Sequence, residues 1–110
     1  VLRPVGGGVN SDVKAVAAEL GYPIINWSVD TEDWKDQNVE RIVQTVTQQA
    51  EDGDIILMHD IFETSVTAAL ACVDRLMAQG YYFVTVEELF ALRGEVPQEG
   101  GVYLSLPPKT

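Results

Sequence analysis

The sequence is short of basic residues. Among its 110 residues, 7 are Lys or Arg and 17 are Asp or Glu, which gives a formal net charge of -10. Because binding to phosphate backbones depends on clustered Lys and Arg, this balance excludes a nucleic-acid partner, and it is also unfavourable for anionic membranes. A neutral substrate, a metal cation and a basic partner are all compatible with it.

The sequence also lacks cysteine pairs and long apolar runs. Cys72 is the single cysteine, so no disulfide forms within the chain. It follows the apolar residues 69–71 on a predicted helix, where we expect it to pack as a small hydrophobic residue. No run of about 18 or more apolar residues predicts a transmembrane helix, and no signal peptide is visible.

What is present is the composition of an ordinary globular domain. Hydrophobic residues make up 46% of the chain and charged residues 22%, which is not the composition of a disordered segment. The length suffices for one small domain. Residues 1–4 resemble the end of a strand with nothing before it, so we expect the chain to begin within a longer gene product.

Strand-like and helix-like patterns alternate along the chain. Periodic apolar residues and capping residues predict four helices, and short apolar runs predict the strands between them. The third helix is predicted to bury Val66, Ala69, Leu70, Val73, Leu76 and Met77, and to end before Gly80 at its C′ position. Helices are expected over about 12–20 (N-cap Asn10 or Ser11), from Asn38, from Thr64 or Ser65, and over 86–92, with strands ending at residue 3 and over 23–27, 54–58 and 82–85.

This alternation predicts an α/β fold. Repeated strand–helix units imply parallel strands joined by right-handed crossovers, with helices covering the sheet. Four such units fit either a small doubly wound sheet or one half of a larger (β/α) barrel. The abrupt first strand favours the half barrel.

The only histidine, His59, directly follows the strand predicted over 54–58. This short apolar run is bounded by Gly53 and predicts a strand buried on both faces. In parallel α/β proteins, ligands bind at the carboxyl ends of the strands. His59 is therefore a candidate catalytic residue, and the alternative is a histidine at the edge of the core that is hydrogen-bonded to the backbone.

Other polar and aromatic residues follow neighbouring strand ends, whereas the opposite ends carry turn residues and no comparable cluster. This asymmetry favours a functional His59. A carboxylate near an imidazole favours its protonated form, which can give a proton to a leaving amine or alkoxide. The residues at this rim are Arg3, the glycines 6–8, Trp27, Asp30, Asp33 and Trp34.

Several of these residues have two interpretations. Asp30 and Asp33 are both candidates for the carboxylate beside His59, and the alternative for each is loop capping. Trp34 can line a sugar-binding groove or fold back over the sheet. The glycine loop can hold an anion at a helix N-terminus or allow close approach to a substrate oxygen, but it lacks the spacing of a phosphate-binding loop.

Four segments together resemble the polysaccharide deacetylase family, the carbohydrate esterases of family 4 with the NodB-homology fold. Residues 27–34 resemble its W-x-x-D-x-x-D-W segment, and residues 57–59 match its L-x-H motif. Residues 3–7 resemble R-P-P-Y-G, and residues 80–89 resemble the segment that closes the domain. The resemblance covers nearly the whole chain.

The resemblance implies the C-terminal half of a distorted (β/α) barrel of the NodB-homology type and a metal-dependent hydrolase. A divalent metal, usually zinc, activates a water that attacks the acetyl group of N-acetylated, or sometimes O-acetylated, sugars in a polysaccharide such as peptidoglycan or chitin. The implied catalytic residues are His59 as general acid, Asp33 as its partner and Arg3, which orients a base aspartate. The implied substrate-binding residues are Leu57 at the acetyl methyl, Trp34 as a wall of the site, Gly6 near the oxyanion and Asp30.

Two departures from the family pattern matter. Gly6 stands where the family has a tyrosine, and Val5 stands in place of its second proline, so the groove shape differs there. The T-F-D-D and H-x-x-x-H motifs, which hold the base and the metal ligands, are absent. We therefore expect no metal ligand in this chain, which supplies the acid half of the site, and a partner in the N-terminal half of the same domain.

These observations lead to the following expectations. Residues 1–94 are the C-terminal half of a catalytic domain and residues 95–110 a tail that packs on it; the chain alone is inactive and unstable without its complement. The resemblance suggests a secreted or cell-surface protein. The alternative function is a noncatalytic carbohydrate-binding or interaction domain, and a flavodoxin-like small-molecule or signalling domain is a third possibility that gives no role to residues 27–34.

Overall fold

The structure, a computed structural model, describes residues 1–108, with Val5 described by its backbone alone. A 3-10 turn at Val5–Gly7 precedes five helices and four two-residue strands. The helices are α1 (Ser11–Leu20), α2 (Asp33–Asp36), α3 (Val39–Gln49), α4 (Glu63–Ala78) and α5 (Val86–Arg93), and the strands are β1 (Ile24–Ile25), β2 (Val29–Asp30), β3 (Ile56–Leu57) and β4 (Val102–Tyr103).

Three of the predicted helices begin where local capping chemistry places them. The Asn10 side chain accepts a hydrogen bond from the backbone N–H of Val13 at 2.9 Å, and Asn38 does the same for Arg41 at 3.1 Å. Thr85 and Glu88 form a reciprocal capping box at the start of α5. These side chains satisfy backbone donors that a helix start leaves without partners.

The start of α4 differs from the prediction. The helix begins at Glu63 after Phe62, which has no side-chain cap, so neither Thr64 nor Ser65 is the N-cap. Ser65 instead lies inside the first turn and directs its hydroxyl to Asp33. Gly80 follows the C-cap with φ 95°, as expected for a C′ glycine.

The buried face of α4 also differs from the prediction. Of the six residues expected to be buried, only Leu76 is; Val66, Leu70 and Met77 are 48%, 65% and 55% exposed. The helix has two apolar faces, and the one with smaller side chains packs against α3. That buried core contains Ile42, Val43, Val46, Ala68, Cys72 and Leu76. We call Val66, Leu70 and Met77 the outer face of α4.

Both pairings among the four described strands are parallel, as predicted, while an isolated bridge between Asp54 and Ser105 is antiparallel. β1 pairs with β4 (Ile24 opposite Val102), and β2 pairs with β3 (Val29 opposite Ile56). Leu2 forms a further parallel bridge to Ile24, consistent with a strand end at the start of the chain.

The strand predicted over 23–27 ends at Ile25, and β2 lies in the polar segment after it, where the sequence predicts no strand. Ser28 explains the second strand, because its hydroxyl donates to Asp54 at 2.9 Å and accepts from the N–H of Ile55 at 3.2 Å. These bonds hold residues 28–30 beside β3. The residues of β3 are only partly buried, so the prediction that this strand is buried on both faces is wrong.

No strand forms over residues 82–85, contrary to the prediction. Tyr82, Phe83 and Val84 are 87%, 50% and 41% exposed, and their backbone groups bond to no other described residue. A strand needs a hydrogen-bonded neighbour, and the described chain places none beside this apolar segment. The segment borders an open groove of about 670 Å³ that also contacts Ile55 and Leu76.

The apolar patch near the C-terminus forms β4 and then enters the core. Leu106 is 7% exposed and packs with Ile25 and Phe90. Its backbone lies close to Gly53, because the Leu106 N–H donates to the Gly53 carbonyl at 2.8 Å. A Cβ on Gly53 would lie 2.1 Å from the Leu106 oxygen. Only glycine fits at that turn.

The described chain is thin for its length. Its extents are 41 × 32 × 18 Å and its radius of gyration is 14.9 Å, compared with about 13 Å for a compact domain of this length. Its accessible surface is 7140 Å², roughly a fifth more than a compact monomer of this mass exposes. None of its described helices has the length and apolar character that crossing a membrane requires.

Candidate active site

His59 and Asp33 form a hydrogen-bonded pair where β3 meets α2. Asp33 is the first residue of α2 and is fully buried, whereas His59 follows β3. The distance between His59 Nδ1 and Asp33 Oδ1 is 2.8 Å, and the backbone N–H of His59 donates to Asp33 Oδ2 at 2.6 Å. The structure thus brings together the two residues that the sequence placed at neighbouring strand ends.

Asp33 has a third hydrogen-bond donor that the sequence analysis missed. The Ser65 hydroxyl donates to Asp33 Oδ2 at 2.6 Å, and both residues are buried. Burial alone would raise the pKa of Asp33, but the hydrogen bonds from Ser65 and from the backbone and ring of His59 outweigh it and lower that pKa to about 2. Asp33 is therefore ionised at neutral pH.

The charge on Asp33 fixes the protonation pattern of the His59 ring. An ionised carboxylate can only accept hydrogen bonds, so Nδ1 of His59 must carry a proton. Asp33 does not engage Nε2, and the His59 side chain is 41% exposed. Nε2 is thus the ring nitrogen that can exchange a proton with a bound molecule.

Arg41 of α3 holds the loop that carries Asp33. Its guanidinium donates to the carbonyl oxygens of Thr31 and Glu32, each at 2.9 Å, and its Nε lies 2.6 Å from Asp36 Oδ2. Glu32 has φ 49°, a left-handed conformation that is costly for a residue other than glycine. These contacts fix the turn immediately before Asp33.

Asp30 and Leu57 lie close to the pair but contact other groups. Asp30 is exposed and accepts a hydrogen bond from the Glu32 N–H at 3.0 Å, which is loop capping. Of the two candidate carboxylates, the structure therefore pairs Asp33 with His59. Leu57 lies opposite Asp30 in β3, and its carbonyl oxygen accepts from Thr31 at 2.8 Å.

A small apolar groove of about 230 Å³ opens beside His59. Met58 and Ser65 border it together with one side of α4, and Leu57 is not among its lining residues. The groove continues onto Val66 and Leu70 of the outer face of α4. A small apolar group can therefore lie next to the imidazole.

The aromatic residues of the rim have different environments. Trp34 is 54% exposed, so it is not part of the buried core. Trp27 is partly buried with its ring against the glycine loop, because a Cβ on Gly7 would lie 2.6 Å from that ring. Asn26 donates from Nδ2 to the Gly7 carbonyl at 3.1 Å and further fixes this loop.

Gly6 and Arg3 lie on the surface at the start of the chain. Gly6 has φ 65°, and a Cβ there would meet no heavy atom within 4 Å, so space is open beside it. Arg3 is exposed, and its guanidinium makes no hydrogen bond or ion pair with another residue of the 1–108 range. The structure does not bring Arg3 into contact with the Asp33–His59 pair.

The described residues do not fit a metal ion. Over residues 1–108, no group of three or more His, Cys, Asp or Glu side chains is arranged to hold one. Both oxygens of Asp33 already accept hydrogen bonds, and Nδ1 of His59 is directed to Asp33. A metal ion needs several free ligands, which this pair cannot supply.

Comparison with known proteins identifies clear relatives, although no family model matches the chain. The peptidoglycan-N-acetylglucosamine deacetylase PgdA of Listeria monocytogenes is 47% identical over 102 residues, which cover 93% of this chain and 21% of that protein. The solved structure described as T48 deacetylase with substrate superposes with a TM-score of 0.83 and 38% identity, covering 93% of this chain and 49% of the other.

Two further similar structures are described differently, one as an enzyme and the other as a pseudoenzyme. A family 4 acetyl xylan esterase from Clostridium thermocellum, in complex with a cobalt ion, has a TM-score of 0.80 and 26% identity over 96% of this chain and 52% of its own. A CE4 family pseudoenzyme from Bacillus anthracis has a TM-score of 0.73 and 30% identity over 79% of this chain and 31% of its own.

The relatives are longer than this chain. The chain spans about a fifth of PgdA and about half of the T48 deacetylase structure, and the match lies in the C-terminal part of the relatives. The predicted fold, the C-terminal half of a distorted (β/α) barrel of the NodB-homology type, is thereby confirmed.

Proposed function

Since this chain belongs to the polysaccharide deacetylase family, carbohydrate esterase family 4, we propose that it supplies the general-acid half of a metal-dependent deacetylase site. The reaction would remove acetyl groups from N-acetylated or O-acetylated sugars of a polysaccharide such as peptidoglycan or chitin. The observation that carries the proposal is the hydrogen-bonded pair of Asp33 and His59, with its buried carboxylate and its partly exposed imidazole.

In this proposal His59 is the general acid. Hydrolysis splits the bond between the acetyl carbon and the sugar nitrogen or oxygen, and the leaving atom must take up a proton. Asp33 holds Nδ1, so the protonated ring donates from Nε2 as that bond breaks. The products are acetate and a free amine or hydroxyl on the sugar.

The other rim residues have supporting roles in this proposal. Gly6 is next to open space, where a backbone N–H can approach the carbonyl oxygen of the acetyl group. Exposed Trp34 forms a wall for the sugar chain. Arg3, which has no ion-pair partner among the described residues, orients a base aspartate outside this chain. Leu57, for the acetyl methyl, and Asp30, as a sugar contact, keep their assignments on the sequence motifs alone.

The metal ion and its ligands belong to the other half of the domain in this proposal. That half precedes the chain in the family, as a separate fragment or a preceding segment, and would hold a divalent metal, usually zinc. Support comes from the length of the solved relatives, about twice that of this chain, and from the donor set here, which does not fit a metal. The division into residues 1–94 and a tail over 95–110 is part of the same proposal.

The surface that the other half would cover is apolar. The backbone groups of Tyr82–Val84 have no partner among the described residues and border the larger groove. A strand of the other half would complete this edge. It would also cover the outer face of α4, which carries the apolar residues that a complete domain buries. Because PgdA is a peptidoglycan deacetylase, we place the complete protein at the cell wall or cell surface.

The test is to combine the chain with its complementing half and to measure acetate release from N-acetylglucosamine oligomers. His59→Ala should reduce turnover by about two to four orders of magnitude, because it removes the proposed proton donor. Bound metal should stay unchanged. Metal loss on this substitution would contradict the acid assignment, and an active His59→Ala variant would contradict the whole proposal.

A noncatalytic carbohydrate-binding domain is the second candidate. The similar structure described as a CE4 family pseudoenzyme favours it, because that protein shows that this fold alone does not make an enzyme. In that case the combined protein binds the oligomers without releasing acetate. Finding T-F-D-D and H-x-x-x-H encoded upstream of Val1 supports the enzyme; an unrelated upstream sequence supports binding.

A further inference from the structure

The proposed reaction assigns no role to Ser65, although it is buried behind the hydrogen-bonded pair of His59 and Asp33, which we call the acid pair. Its side chain is 1% exposed, and its hydroxyl lies 2.6 Å from Asp33 Oδ2. A buried hydroxyl without a partner is costly, so this bond satisfies Ser65 as well as Asp33. The two residues are 32 positions apart in the sequence and come from different helices.

Local helix chemistry does not explain this contact. A serine in the first turn of a helix usually bonds to nearby backbone groups. Here the backbone N–H of Ser65 donates to the Phe62 carbonyl at 3.1 Å, while the hydroxyl is directed to Asp33. The hydroxyl of Ser65 therefore joins α4 to the start of α2.

The contact also determines which carboxylate oxygen faces the imidazole. Asp33 Oδ2 receives two donors, the Ser65 hydroxyl and the backbone N–H of His59. Oδ1 is then left for the ring Nδ1 of His59. Two donors on one oxygen prevent rotation of the carboxylate, so the ring is held in a single orientation.

We propose that Ser65 is a positioning residue for the general acid: by binding Asp33 Oδ2, it holds the carboxylate so that Oδ1 accepts from Nδ1 of His59 and Nε2 stays available to the substrate. This inference rests on the proposed function, because Ser65 acts through His59. The competing explanation is that Ser65 only fills space between α3 and α4, where its neighbours on the same face are Ala68 and Cys72.

The first measurement follows the Asp33 carboxyl by carbon NMR in the aspartate-labelled chain combined with its unlabelled complementing half, and Asp33→Asn assigns the signal. The unsubstituted chain should show the Asp33 pKa near the value of about 2. Ser65→Ala keeps the small volume and removes the donor, so that pKa should rise toward its ordinary value of 3.8. Ser65→Thr keeps a hydroxyl and should restore the low value.

Ser11→Ala is the control, because Ser11 is an exposed serine at the start of α1, a helix that carries neither Asp33 nor His59. It should leave the Asp33 titration unchanged. An unchanged Asp33 pKa in Ser65→Ala would overturn the proposal, and so would an ordinary Asp33 pKa in the unsubstituted chain. If Ser65→Thr does not fold, the ring signals of His59, the only histidine of the chain, give a second comparison between Ser65→Ala and the unsubstituted chain.

The second measurement is of kcat, KM and metal content for the chain combined with its complementing half. Ser65→Ala should lower kcat by about tenfold to a hundredfold, the effect of one hydrogen bond to a charged group, with KM and metal content little changed. Ser65→Thr should recover most of this loss. Equal kcat in Ser65→Ala and the unsubstituted protein would contradict the positioning role.

The two measurements separate the two proposals. If no acetate is released but the Asp33 pKa rises in Ser65→Ala, the deacetylase proposal fails while Ser65 still positions the pair. If acetate is released and the Asp33 pKa does not respond to Ser65→Ala, the deacetylase proposal stands and the role of Ser65 is wrong.

Discussion

At Asp33, burial and hydrogen bonding act in opposite directions on one carboxyl group. The side chain is fully buried, and a buried carboxyl without donors would favour its neutral form. Three donors reverse this preference and lower its pKa to about 2. The charge of the acid pair therefore depends on Ser65 and His59 staying in place.

This opposition makes the stability of the protein depend on pH. The Asp33 pKa is lower in the folded chain, about 2, than its ordinary value of 3.8. Its contribution to stability is therefore complete above about pH 4 and is lost as the pH falls toward 2. It amounts to at most about 2 kcal/mol, and less after solvent screening, because His59 is 41% exposed.

Urea unfolding of the chain combined with its complementing half, unsubstituted or carrying Asp33→Asn, between about pH 5 and pH 2 checks this expectation. The amide does not titrate, so the free energy of unfolding of Asp33→Asn should fall less steeply over this range. Asp36→Asn is the control, because Asp36 has a lowered pKa from Arg41 but is exposed. Equal slopes for Asp33→Asn and the unsubstituted chain would contradict the prediction.

The sequence predicted the partners Asp33 and His59 but not Ser65. The first two follow adjacent parallel strands, so their proximity follows from the fold class. Ser65 lies in the first turn of a helix, where a serine usually serves as a cap. Its actual partner depends on how α4 packs beside α2, and no local pattern encodes that arrangement.

At the scale of secondary-structure elements, the loop before α2 depends on a single side chain of α3. Arg41 binds the carbonyl oxygens of Thr31 and Glu32 and the carboxylate of Asp36. A planar guanidinium presents its donors in a fixed fork that reaches all three acceptors, whereas an ammonium group is a compact point charge without that geometry. The left-handed backbone of Glu32 is maintained by these bonds.

Arg41→Lys and Arg41→Ala should therefore both loosen this loop. We expect a loss of about 1–3 kcal/mol in the free energy of unfolding, with faster amide hydrogen exchange over residues 31–37. Arg75→Ala is the control, since Arg75 is exposed on α4 and forms no ion pair with another described residue. Full stability in Arg41→Lys would show that the charge suffices and that the fork geometry does not matter.

The predicted elements differ in accuracy for a physical reason. The starts of α1, α3 and α5 depend on capping by neighbouring residues, so the sequence predicted them. β2 depends on Ser28 contacting Asp54, and β4 depends on β1, so contacts distant in sequence determine both. The prediction of the buried face of α4 was wrong because both faces of the helix are apolar. Only packing on α3 determines which face is buried.

At the scale of the whole molecule, the chain exposes apolar surface that a complete domain would cover. It is 18 Å thick in its shortest direction, and Tyr82–Val84 is exposed without backbone partners among the described residues. The outer face of α4 is similarly exposed. These surfaces are where the proposed other half of the barrel would bind.

Adding the complementing half should therefore change the behaviour of the chain. We expect the chain alone to lack a cooperative thermal transition and the mixture to show one, with slowed amide exchange at Tyr82–Val84. Phe83→Asp should prevent this association, because it places a charge in the apolar contact.

Val96→Asp is the control, because Val96 is 87% exposed and lies outside the larger groove. A cooperative transition of the chain alone, together with unchanged exchange at Tyr82–Val84 in the mixture, would contradict the expected assembly.

The pairing of β1 with β4 has a consequence for the order of folding during synthesis. Ile24 lies opposite Val102, so the first strand pair joins residues from opposite ends of the described chain. A ribosome releases the chain from its N-terminus, so β1 can bridge to Leu2 early but cannot pair with β4 until residues 102–103 have emerged. Such distant contacts slow folding. The helix pair α3 and α4, which needs only neighbouring sequence, can form well before the strands do.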